Sequence, residues 1–557
     1  MLPTKQIFEN IDSWPIAQAS SNRKQFIEEL NAFILSRLLE TNKNQISELI
    51  SKTIYLEKQR IKLHPWKVDP VDDKAYWNNI SDTLELIQNL ADKENAETEL
   101  LHKIVNRYSE EIVGHFNTKT FRFSRWFLTS FFKRIFNKFF GQKQWRWGNK
   151  KQLLEKIKVI GDITKIQHLF TQGVVVILPT HHSNLDSIMV GYAIDTKMHL
   201  PVFSYGAGLN LYNVEIAAYF MNRLGAFRVD RRKKNPIYLE CLKGMTSYSL
   251  LKGINNIFFP GGTRSRSGAT ESKVKLGLIG SLVEAQRLNI ESGTNKKIFI
   301  VTMNINYHFV LEAKSLVDQY LRQIGKEKHS VQKQAGTNVF TYIKFIQKLL
   351  KTKSEVFLSL GRVMDVFGNS VNETGQSMDK FGHVIDMEDY FMTEGRIKAD
   401  PQRESIYTRL LGDYIVREFS KNQVVLSSNI IAFTAFQYFY AEHSTLDVVS
   451  FINLKTHQQQ IEYVHFKELC AEVVEVVLRW HAQEDILVSD EIINPNMDAL
   501  IEHGLYHLGV YHDRKPLKRS GDRLISEDLS LLFFYHNRLT NYPFQEILSW
   551  VNRIQVE

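Results

Sequence analysis

Four short β-branched runs limit the folds open to this chain. VVVILP (174–179), INNIFF (254–259), IFIVTMNI (298–305) and EVFLSL (355–360) are separated by longer stretches in which apolar residues recur at helical spacing. A strand, a helix and a second strand pack most readily as a crossover unit. The alternation therefore predicts an α/β domain with a mainly parallel sheet flanked by helices, over residues 152–400. On either side the texture changes. Residues 1–115 hold SNRKQFIEELNAFILSRLLE and DTLELIQNLADKENAETELLHKIVNRYSEEIV, with apolar positions three and four apart, and the prolines of LHPWKVDPVDD break the pattern between them. From 401 to 557 the helical texture returns.

Charge is distributed as unevenly as the secondary-structure signal. The chain has 557 residues and a formal charge of +9, which implies an anionic partner; nucleic acid, anionic lipid and phosphorylated substrates all fit the total. Much of the excess falls in one segment, 116–151. No acidic residue occurs between Ile112 and Leu154, while Lys119, Arg122, Arg125, Lys133, Arg134 and Lys138 lie among many aromatics. On a helix, Leu128, Phe131, Phe132, Ile135 and Phe139 share one face and Lys133 and Arg134 the other. That pattern predicts a segment lying on an anionic membrane surface, or an aromatic face that joins the N-terminal helices to the α/β domain. The run Gln423 to Ala441 is uncharged but carries Ser, Asn, Thr and Gln, so it reads as a buried helix and not as a span. Two cysteines, Cys241 and Cys470, offer neither a disulfide framework nor a thiolate metal site. With no basic-then-apolar leader, the expectation is a peripheral protein on the cytoplasmic side of a membrane.

Three clusters carry candidate chemistry. Thr180-His181-His182-Ser183-Asn184-Leu185-Asp186 follows directly on the first of the strands above. A histidine there, with a carboxylate five residues on, suits a general base whose tautomer the carboxylate fixes; Asp186 can equally serve only the first turn of a helix. Gly225-Ala226-Phe227-Arg228-Val229-Asp230-Arg231-Arg232-Lys233-Lys234 joins a glycine turn to cations that suit phosphate oxygens, or are a solvated charge run. Phe259-Pro260-Gly261-Gly262-Thr263-Arg264-Ser265-Arg266-Ser267-Gly268 follows another strand and stacks backbone N–H groups, hydroxyls and guanidinium groups as an anion site would. It lacks the Gly-Lys-Ser/Thr ending of a P-loop.

In this order and spacing the clusters resemble the blocks of the glycerolipid acyltransferase superfamily: a His–four residues–Asp box (His181, Asp186), a Gly-x-x-Phe element ending in arginine (Gly225, Phe227, Arg231), and FPGGTRS (259–265). IFIVTMNINYHFVLE (298–312) stands for the fourth block. The similarity is closer to the glycerol-3-phosphate acyltransferase branch, which includes the dihydroxyacetone-phosphate enzymes. GAGLNLYN (206–213), TRSRSG with Lys275 downstream, NTKTFRFSRWFLTSFFKRIFN, and LLFFYHNRLTNY (531–542) carry that closer match. Two positions depart from the blocks: Gly261 stands where the third usually has glutamate, and Thr302 where the fourth usually has proline.

The resemblance implies that His181 deprotonates a primary hydroxyl, with Asp186 orienting it. Arg231, Gly262, Thr263, Arg264, Ser265, Arg266 and Lys275 would hold the acceptor phosphate. The expected reaction moves a fatty acyl group from acyl-CoA or acyl carrier protein, as co-substrate, to glycerol 3-phosphate. No metal or other cofactor and no nucleic-acid partner is implied. Rival acceptors are 1-acylglycerol-3-phosphate, dihydroxyacetone phosphate and an amino-acid lipid; a rival of another class is a membrane-binding protein whose site has decayed.

Overall fold

The computed structural model describes residues 10–43, 45–127, 157–209, 215–294, 296–325, 355–454 and 459–552. Its centre is a seven-stranded sheet of β1 (Ile157–Ile160), β2 (Gly173–Pro179), β3 (Ser204–Gly208), β4 (Ala226–Val229), β5 (Asn256–Ile257), β6 (Lys297–Tyr307) and β7 (Val356–Leu360). The strand order is β1-β7-β6-β2-β5-β3-β4. Neighbours from β6 to β4 run parallel, whereas β7 lies antiparallel to β6 and carries β1 parallel to itself.

The central strand shows why its sequence is apolar without alternation. Val175 and Ile177 point into one core, with Ile163, Ile166 and Leu169 of α6 (Ile163–Phe170) and Val190 and Ala193 of α7 (Asp186–Thr196). Val174, Val176 and Leu178 point into another, with Ile279, Leu282 and Val283 of the helix Leu276–Glu291 and Leu411 and Ile415 of the helix Pro401–Lys421. Both faces are covered, so every side chain of the strand is apolar. Each such residue contributes about 1.5–3 kcal/mol on full burial.

The described helices ahead of the sheet include α1 (Pro15–Ser21), α2 (Arg23–Thr41), α3 (Ile46–Leu63), α4 (Asp73–Ile87) and α5 (Lys93–Ile112). They share a core with Ile237, Tyr238, Cys241 and Met245 of the helix Pro236–Leu251. On the C-terminal side, Ser427–Ala441 is buried almost throughout and packs on the helices Tyr463–Ala482, Met497–Gly509 and Leu529–His536. Among the described residues no helix is long and apolar enough to cross a membrane. The helical reading of the C-terminal region missed the small sheet of Gln460–Glu462, Lys518–Ser520 and Arg523–Ile525, and the α/β reading did not mark the paired segments within 370–397. Segments of two or three residues are too short to display a period of two. Most of the basic aromatic segment, from Leu128 onward, lies outside the described residues.

Candidate active site

The candidate site forms where β2 ends. Asp186 is the first residue of α7, and its buried carboxylate turns back toward the loop that precedes it. Oδ2 accepts from His181 Nδ1 at 2.9 Å, His182 N at 2.6 Å and Ser183 N at 2.8 Å, while Oδ1 accepts from Tyr307 Oη at 2.8 Å. A carboxylate can only accept, so Nδ1 carries the imidazole proton and Nε2 presents a lone pair. Among the described residues nothing hydrogen-bonds Nε2. The His181 ring stacks on Phe259 with centroids 4.1 Å apart. Its backbone is gripped too: the N–H donates to Glu271 Oε1 at 2.8 Å, and the carbonyl accepts from Ser265 N at 2.8 Å. The His–Asp box and the third block are thus one hydrogen-bonded unit.

In the third block, Gly262 has φ of +74°, a left-handed conformation that glycine adopts freely, and a Cβ there would come within 2.8 Å of Lys275 Cδ. The absent side chain at Gly261 has a different reason. A Cβ at that position would lie 3.0 Å from Glu271 Cγ, so Glu271 occupies the space beside residue 261. Burial pushes the Glu271 carboxyl up to about 7, opposed by the hydrogen bond from His181 N–H and the charge of Arg538.

The predicted phosphate ligands divide into two groups. Arg231 has no carboxylate partner among the described residues. Although its side chain remains open to solvent, crowding around it and then the like charges of Arg264 and Arg266 hold its guanidinium below the ordinary value. Arg264 Nη1 reaches Glu312 Oε1 at 3.3 Å, and Arg266 Nη1 donates to Gln323 Oε1 at 2.9 Å. Lys275 is exposed beside Gly262. These cations converge without enough acid to neutralise them, which suits an anion. By contrast, Ser265 Oγ donates to Ala269 O at 2.7 Å and Thr263 stays half-buried in the loop. Ser265 therefore holds the loop's shape with both its hydroxyl and its N–H. The cations that follow Arg231 turn away: Arg232 pairs with Asp69 and Asp230, and Lys233 with Glu111, all but Asp230 on the N-terminal helical side.

Besides Glu271, sequence reasoning missed three groups. Tyr307 ends β6 and holds Asp186. Glu312 accepts from Ser183 Oγ at 2.8 Å as well as from Arg264, tying the His loop to the third block. Arg538 lies fully buried between His182 Nε2, Glu271 and Asp186, and burial pulls it down to about 10. It also leaves His182 neutral: burial first, then the charge of Arg538, holds that ring well below its usual range. Their one signal was placement within the fourth block and LLFFYHNRLTNY, which assigned no role to any of them.

Residues 157–306 match the family model described as Acyltransferase. A glycerol-3-phosphate acyltransferase of Aeromonas hydrophila is 25% identical over 291 residues, covering 52% of this chain and 32% of that protein. The human dihydroxyacetone phosphate acyltransferase is 24% identical over 245 residues, covering 44% of this chain and 33% of that protein. The chain thus spans about a third of the length of the curated relatives it matches. Among solved structures, the 1-acyl-sn-glycerophosphate acyltransferase of Thermotoga maritima aligns at 14% identity and a TM-score of 0.20, over 57% of this chain and 86% of that one.

Proposed function

We propose that this chain, with its acyltransferase domain over 157–306, transfers a fatty acyl group from a thioester to the primary hydroxyl of glycerol 3-phosphate. The observation that carries the reading is the His181–Asp186 pair, with its free Nε2 beside a converging set of cations. His181 Nε2 takes the hydroxyl proton, and Asp186 stabilises the imidazolium that results. The acceptor oxygen attacks the thioester carbonyl. The tetrahedral intermediate collapses, the C–S bond breaks, and the leaving thiolate recovers the proton from Nε2. Arg231, Arg264, Arg266 and Lys275 hold the phosphate, and the positioning this supplies replaces a costly encounter. Direct transfer is supported by the state of the nucleophiles nearby and elsewhere. Ser183 Oγ and Ser265 Oγ donate within the loops, and both cysteine thiols are buried, which pushes them up and suppresses thiolate. The names of the curated relatives favour glycerol 3-phosphate over the other acceptors.

The membrane-facing part of the reading rests on the basic aromatic segment, and its described end supports it. Phe123, Trp126 and Phe127 are exposed, and Phe123 lies 6.2 Å from Phe220. Exposed aromatics continuous with a basic stretch fit an anionic lipid surface.

One experiment tests both parts. Purified chain is offered acyl-CoA and acyl carrier protein donors against glycerol 3-phosphate, 1-acylglycerol-3-phosphate, dihydroxyacetone phosphate and an amino-acid lipid. Glycerol 3-phosphate should turn over best. His181→Ala should lower that rate about 10²–10⁴-fold with little change in melting temperature. The same preparation should sediment with anionic vesicles, and changing Lys133, Arg134 and Lys138 to Glu should release it. Vesicle binding without turnover on any acceptor would replace the enzyme reading with the membrane-binding one.

A further inference from the structure

Away from the acyl-transfer site, a second cluster of chemistry-bearing side chains lies where β6 meets the C-terminal helices. His308 follows the last residue of β6, Glu491 lies in the short helix Asp490–Ile493, and His503 in the helix Met497–Gly509. One donor atom from each of the three falls within 4.8 Å of the other two. His507, one turn beyond His503, packs its ring 4.5 Å from that of His308 and 4.3 Å from that of His503.

The second layer of contacts makes this more than a histidine cluster. His308 Nδ1 meets Ser428 Oγ at 3.0 Å, and His503 Nδ1 meets Ser427 Oγ at 2.8 Å. Those serines are adjacent residues at the start of one helix, so a single backbone element orients both rings. Among the described residues the other nitrogen of each ring has no hydrogen bond. Metal-ligating histidines are commonly oriented in this way, by a polar group hydrogen-bonded to the ring. Glu491 Oε1 is buried without a hydrogen-bond partner, and lies 3.8 Å from His503 Nδ1. A buried carboxylate oxygen left unpaired is costly, and a cation at the cluster removes the cost. A simple His503–Glu491 ion pair would account for two of the three groups but gives the buried His308 no part.

We propose that His308, Glu491 and His503 bind a divalent transition-metal ion of the zinc class. Two imidazoles and one carboxylate suit zinc with an open fourth position, and the nitrogen donors disfavour magnesium and calcium. The site joins the residue after Tyr307 to the C-terminal helices, so a bound ion staples the strand end that holds Asp186. The proposal does not depend on the acyl-transfer reading.

The test uses untagged full-length chain, stripped with a chelator and then equilibrated with buffered Zn²⁺ or Mg²⁺. Metal content and melting temperature are read, with no activity assay. The wild type should retain about one zinc per chain and melt several degrees higher with zinc, while magnesium changes neither. Glu491→Gln and His503→Ala should each weaken zinc binding at least about tenfold and abolish the thermal shift. Both positions are partly solvent-accessible, and circular dichroism checks that each variant is folded; should His503→Ala fail to fold, Glu491→Gln decides alone. Zinc bound equally by wild type and variants, or no zinc retained by the wild type, overturns the proposal.

Discussion

The two helical flanks hold the α/β domain by different chemistry, and only one of them enters the site. The N-terminal helices dock through an apolar core on the helix Pro236–Leu251 and through ion pairs: Arg37 with Glu240 and Glu284, Arg232 with Asp69, and Lys233 with Glu111. These contacts stop at the residue next to Arg231. The C-terminal flank instead threads the helix Leu529–His536 and the turn after it into the third block. A Cβ at Gly268 would meet Phe534 O at 2.0 Å, Asn537 Nδ2 donates to Ser267 O at 2.8 Å, and Asn541 Nδ2 donates to Thr270 O at 3.1 Å. Arg538 then reaches His182 and the buried carboxyls. These ion pairs range from partly exposed, at Arg37, to nearly buried, at Lys233, and they set the orientation of the flank. Backbone-directed amides and a buried charge define the shape of the site itself. The flank that looks like an ordinary apolar helix in sequence is therefore the one bound to the chemistry.

The comparison breaks most visibly at Arg538. Arg538→Met leaves Glu271 and Asp186 without their buried counter-charge and His182 without its partner. Stability should fall about 3–5 kcal/mol and turnover at least about 10²-fold, measured by denaturant unfolding and initial rates. Arg232→Ala on the opposite flank should lower the melting temperature while leaving kcat within about twofold. Equal kinetic losses in the two variants would erase the distinction between the flanks.

A smaller effect sharpens the map of the cations. Arg264→Ala should raise the acceptor's KM about ten- to a hundredfold, the loss expected for a charge-assisted contact, with the donor's KM little changed. If donor affinity falls instead, the loop holds the thioester's carrier and not the phosphate.

The smallest effect is a pH dependence. The Glu271 carboxyl is raised from 4.5 to about 7 by burial, so the folded chain binds its proton more tightly than the unfolded chain across that window. Its contribution is complete below about pH 4.5, falls as pH rises, and is gone above about 7, a change on the order of 3 kcal/mol over the whole window. Glu271→Gln removes that slope, which denaturant midpoints at pH 5 and pH 7 would reveal as a difference between variant and wild type. Parallel curves would mean that Glu271 is charged throughout, paired with Arg538.

What the sequence determined by itself was local. The His181–Asp186 pair was legible because five residues of strand end and helix start set its geometry, and the sheet was legible because β2, covered on both faces, must be apolar throughout. Even the glycine turn of the second block showed in its own residues, since Gly225 takes a left-handed backbone with φ of +99°. The direction of β7, the retreat of Arg232 and Lys233 from the site, and the engagement of the Ser265 hydroxyl did not show. Nor did Glu271 beside Gly261, 90 residues from the His181 N–H it accepts, or Arg538, 356 residues from His182. Spacing along the chain constrains only groups that share a turn or a strand. Which distant charge neutralises a buried carboxyl is decided when the elements close on one another, because burial, more than sequence, is what makes an unpaired charge expensive.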